Sequence, residues 1–203
     1  MTLAVPFHGF ELLLHPEVYG PAEDTELLLR ALDAVPLQPG ARACDVGTGT
    51  GIIALALARR GAHVVATDVN PHAARLARAN AARNGLAGRV AVVQAAHLAP
   101  LRGPFDVVTF NPPYLPVEGE VRGVLARAWE GGEGGIAWAP AFLQDARRCL
   151  RPGGRAVVVL SSLGDAPGFR ALAAGQGFEA ATLATAKLPW EALEAVVLHP
   201  ARL

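Results

Sequence analysis

Sulfur is scarce in this chain: of 203 residues, two are cysteine and one is methionine. Neither Cys44 nor Cys149 has a Cys-x-x-Cys partner, so no disulfide framework and no structural metal are expected. The six histidines, His8, His15, His63, His72, His97 and His199, show no ligand spacing either. An excess of either charge is also missing. Basic and acidic residues number 18 each, and the net charge of +0 gives no overall pull towards nucleic acid or membrane. The local pairs Arg59-Arg60 and Arg147-Arg148 read as exposed helix faces. No segment reaches the roughly 18 apolar residues of a membrane span. The first residues carry Pro6, His8 and Glu11 without a basic lead, a poor signal peptide, and a cytoplasmic compartment is expected.

What is present is apolar and regularly patterned. Hydrophobic residues make up 52% and charged residues 18%, with a mean hydropathy of +0.30, which favours a globular chain over a disordered one. This length suits one domain with a substantial core. Residues 1–203 are read as that domain, with 1–36 as a cleft-covering segment and a helix. Apolar runs predict strands at 41–46, 63–67, 90–94, 105–110, 155–160, 178–185 and 194–199. Helices are expected at 23–32, 52–58, 72–84, 140–150 and 167–176, the first with Leu27, Leu28, Ala31 and Leu32 as its apolar stripe. Residues 152–154 read as a turn and 119–135 as a mobile, glycine-rich loop beside the substrate. Strands alternating with helices imply an α/β, doubly wound, mostly parallel sheet. The last two strands are joined too briefly for a crossover helix and should run antiparallel.

The densest chemistry lies in Asn111-Pro112-Pro113-Tyr114, directly after the apolar strand 105–110. Ligands in open α/β sheets bind at the carboxyl ends of strands. Each residue before a proline is pushed out of the helical region, so Asn111 and Pro112 are held extended. Pro112 lacks an N–H but keeps its carbonyl. The Asn111 side-chain oxygen and that carbonyl can converge on one NH2 group, with Tyr114 covering the flat face of its carrier. Two such acceptors stabilise positive charge developing on a nitrogen that attacks an electrophile. Alone, the tetrad reads equally as a proline-rich turn closing a strand.

Upstream residues favour the chemical reading. A strand ending at Asp45-Val46 runs into Gly47-Thr48-Gly49-Thr50-Gly51 and then into a helix, the context of a nucleotide-type cofactor site. The third glycine comes one residue too early for G-x-G-x-x-G. Asp45 would repel a pyrophosphate but suits the ammonium end of an amino-acid-bearing cofactor. Asp68 ends the next strand, 21 positions after Gly47, where an acid commonly holds ribose hydroxyls; the alternative is a loop or capping acid.

Together, Asp45 to Gly51, Asp68 and Asn111 to Tyr114 resemble a class I S-adenosylmethionine-dependent methyltransferase. The tetrad narrows the resemblance to enzymes that methylate planar amino or amide nitrogens. Pro6-Phe7-His8-Gly9, Val18-Tyr19-Gly20-Pro21-Ala22-Glu23-Asp24-Thr25 and Ala128-Trp129-Glu130-Gly131-Gly132 resemble the short HemK-like release-factor glutamine methyltransferases, which lack the amino-terminal helical domain of the longer form.

The resemblance implies a Rossmann-like fold: a seven-stranded mostly parallel sheet, an antiparallel C-terminal strand and helices on both faces. It implies S-adenosyl-L-methionine as cofactor and S-adenosyl-L-homocysteine as product. Around that cofactor it places Thr25, Asp45, Gly47, Thr48, Gly49, Gly51, Asp68, Val69, Ala96, His97 and Asn111. Around the substrate it places Phe110, Asn111, Pro112, Pro113 and Tyr114, with Asn111, Pro112 and Tyr114 serving catalysis. It also implies a peptide chain release factor as substrate and, as in the eukaryotic members, a small zinc-binding activator subunit. One departure stands out. Ala96 occupies the place of an acid that usually binds the adenine amino group, so that contact falls to backbone, water or His97, itself equally readable as a solvent-facing loop residue. Two other readings remain open: an amino methyltransferase acting on a flipped nucleic-acid base, and a silent S-adenosylmethionine-binding module.

Overall fold

A computed structural model describes residues 3–116 and 130–201. Strands β1 (Leu3–Phe7) and β2 (Phe10–Leu14) form an antiparallel hairpin, followed by α1 (Glu23–Asp33). Next come β3 (Arg42–Val46), α2 (Ile52–Arg59), β4 (His63–Asp68), α3 (Pro71–Arg83), β5 (Val90–Gln94) and β6 (Phe105–Phe110). The remainder comprises β7 (Leu115–Pro116), β8 (Glu130–Gly132), a 3₁₀ turn at Glu133–Gly135, α4 (Ala139–Cys149), β9 (Leu150–Ser161), α5 (Ala166–Gly175), β10 (Phe178–Lys187) and β11 (Ala192–Pro200).

Seven strands make the main sheet in the order β10-β11-β9-β6-β3-β4-β5. The pairs from β9 to β5 are parallel, and β11 runs antiparallel to both of its neighbours. Side chains alternate across the sheet as the strand period of two requires. Ala43 joins the core formed with α1, α2 and α3, whereas Cys44 and Val46 join the core formed with α4 and α5. Chain order reverses at β3, which lies between β4 and β6; this is the switch point where a crevice opens at the carboxyl edge. The two cysteines are buried and free. Among the described residues no helix is long and apolar enough to cross a membrane.

Three features depart from the sequence expectation. First, the amino-terminal segment is a hairpin whose two-residue turn, His8-Gly9, has φ of 48° and 73°. That geometry matches the twist of paired strands and usually falls to Asn-Gly or Asp-Gly. Second, Pro152-Gly153-Gly154 does not interrupt the strand: β9 begins at Leu150, pairing with Phe105, and resumes at Arg155, pairing with Val107, with a register shift between. Third, the described end of the glycine-rich 119–135 stretch is ordered into β8, which pairs with β7, and the 3₁₀ turn. Residues 119–129, Ala128 and Trp129 among them, lie outside the described residues.

The hairpin is fastened to α3 by two asparagines one turn apart. Asn80 Oδ1 accepts from Leu13 N–H at 2.7 Å, and its Nδ2 donates to the carbonyls of Leu13 at 3.1 Å and Thr50 at 2.8 Å. Asn84 repeats the pattern on Glu11, with both contacts at 3.0 Å. The two amides thus supply β2 with the backbone partners that another strand would supply. Asn80 is completely buried. Asn80→Ala should therefore lower unfolding free energy by about 2–3 kcal/mol, because one buried and two half-buried backbone groups lose their partners. Urea unfolding followed by circular dichroism checks this.

Candidate active site

β3 and β6 run side by side, with Asp45 paired to Thr109 and Val46 to Phe110. The glycine turn leaves β3 and the Asn-Pro-Pro-Tyr tetrad leaves β6, so the two motifs emerge next to each other. Gly47 and Gly49 hold φ of 61° and 55°, a left-handed region that glycine enters without a Cβ penalty. Gly49 N–H donates to Asp68 Oδ2 at 2.9 Å, and Asp68 Oδ1 accepts Asn70 N–H at 2.8 Å. Asp68 thus braces the loops on both sides of it. That is part of the loop-acid alternative, and the carboxylate still borders the crevice.

Asp45 is nearly inaccessible. Thr48 Oγ1 donates to its Oδ2 at 2.6 Å and Thr109 Oγ1 to its Oδ1 at 2.8 Å. Burial pushes its carboxyl up to about 6, although those hydrogen bonds favour the charged form. Burial raises Asp68 as well. Two acids held in a poorly solvated cleft, without basic partners among the described residues, suit a ligand that brings its own positive charge and hydroxyl donors.

A cavity of about 430 Å³ opens over these groups, within the range of small-molecule sites. Thr25, Asp45, Gly47, Thr48, Gly49, Asp68, Val69, Ala96, His97, Phe110, Asn111 and Pro113 all line it. Gly51, placed at the cofactor by the sequence, does not. Its φ is 87°, and a Cβ there would come within 3.1 Å of Ala77, so this glycine serves the close approach of the α2 start to α3. His97 is half-buried in the cavity wall, edge-on to Phe110 at 5.5 Å. Burial lowers its basicity against the opposing pull of Asp145, which favours a neutral imidazole.

A second cavity, of about 380 Å³, holds Pro112 and Tyr114, which are absent from the first. Asn111, Pro113 and Tyr19 border both. The tetrad therefore forms the partition between two compartments, one beside the glycine turn and one beside Leu163, Trp190 and Glu191. Trp190 is 73% exposed on this rim.

At the partition lies an unmet hydrogen-bond demand. Asn111 Oδ1 is buried and has no partner among the described residues; Thr67 Oγ1, inside β4, is the other such atom. Pro112, without an N–H, adds only an acceptor beside it.

Sequence reasoning assigned no role to Asp24, which the structure makes a hub. It is buried, and its Oδ2 accepts from Tyr19 at 3.3 Å and Tyr114 at 3.4 Å, while its Oδ1 accepts from Thr25 N–H at 2.5 Å. Burial, and then Asp24 itself, raises both phenols, so they remain protonated donors. The signal was present in Tyr19-Gly-Pro-Ala-Glu-Asp24-Thr25, but the partner that gives it meaning, Tyr114, lies 90 residues away.

The comparisons agree with this geometry. Residues 11–169 match the family model described as methyltransferase small domain. A relative from Methanocaldococcus jannaschii, provisionally named protein N5-glutamine methyltransferase, is 35% identical over 195 residues, covering 94% of this chain and 96% of its own length. The release factor glutamine methyltransferase of Deinococcus radiodurans is 39% identical over 169 residues; the match takes in 79% of this chain but only 60% of that protein. Among solved structures, the E. cuniculi Mtq2-Trm112 complex, responsible for methylating the eRF1 termination factor, superimposes with a TM-score of 0.73 and 25% identity over 91% of this chain and 99% of that one. These are the names that the tetrad and the Tyr19–Thr25 segment implied. The chain belongs to the methyltransferase small-domain family and is a methyltransferase.

Proposed function

We propose that the protein transfers a methyl group from S-adenosyl-L-methionine to a glutamine side-chain amide of a peptide chain release factor. The observation that carries the reading is the buried, unpartnered Asn111 Oδ1 at the partition between the two cavities. An acceptor left without a donor in the interior costs about 1–3 kcal/mol. A primary amide entering from the Tyr114 side brings the missing donor, and its second N–H is available to the Pro112 carbonyl.

The chain fits the cofactor in the first cavity. Asp45 faces an ammonium group, Asp68 accepts from ribose hydroxyls, and the left-handed turn at Gly47 and Gly49 lets backbone approach closely. Val69, Ala96 and His97 border the remaining space, where a planar base finds backbone and imidazole rather than an acid. The bound cofactor supplies an electrophilic methyl group on a sulfonium centre.

The residues do the rest by placement. An amide nitrogen is a poor nucleophile because its lone pair is delocalised. Asn111 and Pro112 accept from the NH2 group, fix its direction and favour charge on the nitrogen. Tyr114, held by Asp24, forms the flat side of the slot for the amide, and Phe110, held edge-on by Trp138 at 5.1 Å, backs the partition from the first cavity. Alignment of nitrogen with the methyl group across the partition supplies much of the rate. No strong general base is needed, since the methylated nitrogen sheds its proton to solvent. A small activator subunit, of the kind found with Mtq2, belongs to the same reading.

Labelled cofactor offered separately to a release factor, ribosomal RNA and DNA tests the substrate. Label should enter the release factor; label on nucleic acid alone overturns the glutamine assignment, and no transfer to any of them overturns the catalytic one. Asn111→Ala should cut transfer by about 10²–10³-fold, as when one transition-state partner is lost, with cofactor affinity by calorimetry unchanged. Asp68→Ala should reverse that pattern and weaken cofactor binding. Acidification carries a third signature. Because Asp45 must be ionised to meet an ammonium, affinity should hold above its raised value and decline as pH falls through about 6, by about tenfold per unit below it. Asp68, raised in the same sense, adds to the decline. A flat affinity between pH 7 and 5 would remove Asp45 from the ammonium role.

A further inference from the structure

His15 and Glu17 lie in the turn that follows β2, closed by Val18 N–H donating to the His15 carbonyl at 3.0 Å. His72 is 57 residues after His15 in sequence, just inside the start of α3, where its N–H is capped by Asn70. The fold brings the three together. One ring nitrogen of each histidine and one carboxylate oxygen of Glu17 all lie within 4.8 Å of one another. His72 Nε2 is 3.1 Å from Glu17 Oε2, and the two imidazoles stack with centroids 4.8 Å apart at 24°.

A simple ion pair accounts for Glu17 and His72, and the His15 ring is set beside them by its Nδ1, which accepts Glu17 N–H at 3.1 Å. A single divalent ion satisfies all three groups. Ligand atoms on a tetrahedral ion with bonds of about 2.0–2.2 Å stand about 3.3 Å apart. Glu17 and His72 already meet that spacing, and the His15 side chain, on a surface turn, closes the remainder by a rotamer adjustment that gives up its bond from Glu17 N–H. Imidazole with carboxylate suits zinc and its borderline neighbours, whereas calcium and magnesium prefer all-oxygen shells.

We propose that His15, Glu17 and His72 bind one divalent transition-metal ion of the zinc class, which clips the amino-terminal segment to the start of α3. The position gives the clip a purpose. The Glu17 carbonyl accepts from Asn70 Nδ2 at 2.7 Å, and Asn70 N–H is bound to Asp68. Val18 and Tyr19 form one wall of the first cavity, and Asn70 and Pro71 form another. An ion joining these walls narrows their relative movement, so metal and cofactor strengthen each other's binding, and by linkage equally. The coupling rests on the cofactor reading above; the metal site does not.

The test uses the full-length, tag-free chain, chelator-buffered zinc alone, and the single variants His15→Gln, His72→Gln and, as a control, His8→Gln, whose ring pairs with Glu26 away from the site. The wild type and His8→Gln should take up one zinc per chain. Each of the other variants should bind at least about tenfold more weakly, while melting cooperatively without zinc. Zinc should raise the thermal midpoint of the wild type but not of His15→Gln, and equal calcium or magnesium should not. No stoichiometric uptake, or uptake indifferent to His15→Gln and His72→Gln, overturns the site. Zinc binding that leaves S-adenosylhomocysteine affinity unaltered overturns the clip while leaving the methyl-transfer reading intact.

Discussion

One hydrogen bond ties the two halves of the site together: Thr109 Oγ1 of β6 donates to Asp45 Oδ1 of β3 at 2.8 Å, inside the sheet. Parallel pairing sets these residues opposite each other. The acid that closes the first cavity is thus locked in register with the strand that delivers Asn111 two residues later. A slip of one residue between β3 and β6 would turn the two side chains to opposite faces of the sheet. Donor and acceptor geometry therefore inherits the rigidity of the central sheet, although the groups that touch ligands lie on loops.

The site is finished by elements remote in sequence. The hairpin is held to α3 by Asn80 and Asn84, and the chain that follows it carries Tyr19 and Asp24 to the tetrad. Asp24 then restrains Tyr114 through its phenol. Burial of Asp45, Asp68, Tyr19 and Tyr114 acts in one direction, raising each above its ordinary value. Ionised carboxylates poorly served by water gain most from a ligand that is itself cationic.

The strands and helices of the main sheet were legible because their hydrophobic periods are long and cleanly bounded by glycine and proline. The same holds for the tetrad and the glycine turn, whose chemistry is contiguous in sequence. What escaped is mostly non-contiguous. Asp24 looks like a first-turn helix acid until Tyr114 folds over it. Gly51 looks like part of a ligand-cradling turn, and only the approach of Ala77 shows it serving helix contact. His15 and His72 have no meaningful spacing until the hairpin docks. The amino-terminal hairpin was obscured because His8-Gly9 is not among the common turn dipeptides, and β9 because proline and two glycines usually end a strand rather than bulge within it.

The single antiparallel strand, β11, has an outcome beyond sheet topology. Because it reverses direction, the short connection from β10 to β11 returns to the same edge as the ends of β3 and β6, bringing Trp190 and Glu191 to the second cavity. The rim of that cavity is thereby encoded at the far end of the chain, on a hairpin tip that Glu191 pins to the end of β9 by accepting from Ser161 Oγ at 2.5 Å. Such tips accommodate changes of length and composition with little strain on their surroundings. Alterations of that tip would therefore reshape the second cavity and leave the first, built on the middle strands, as it is.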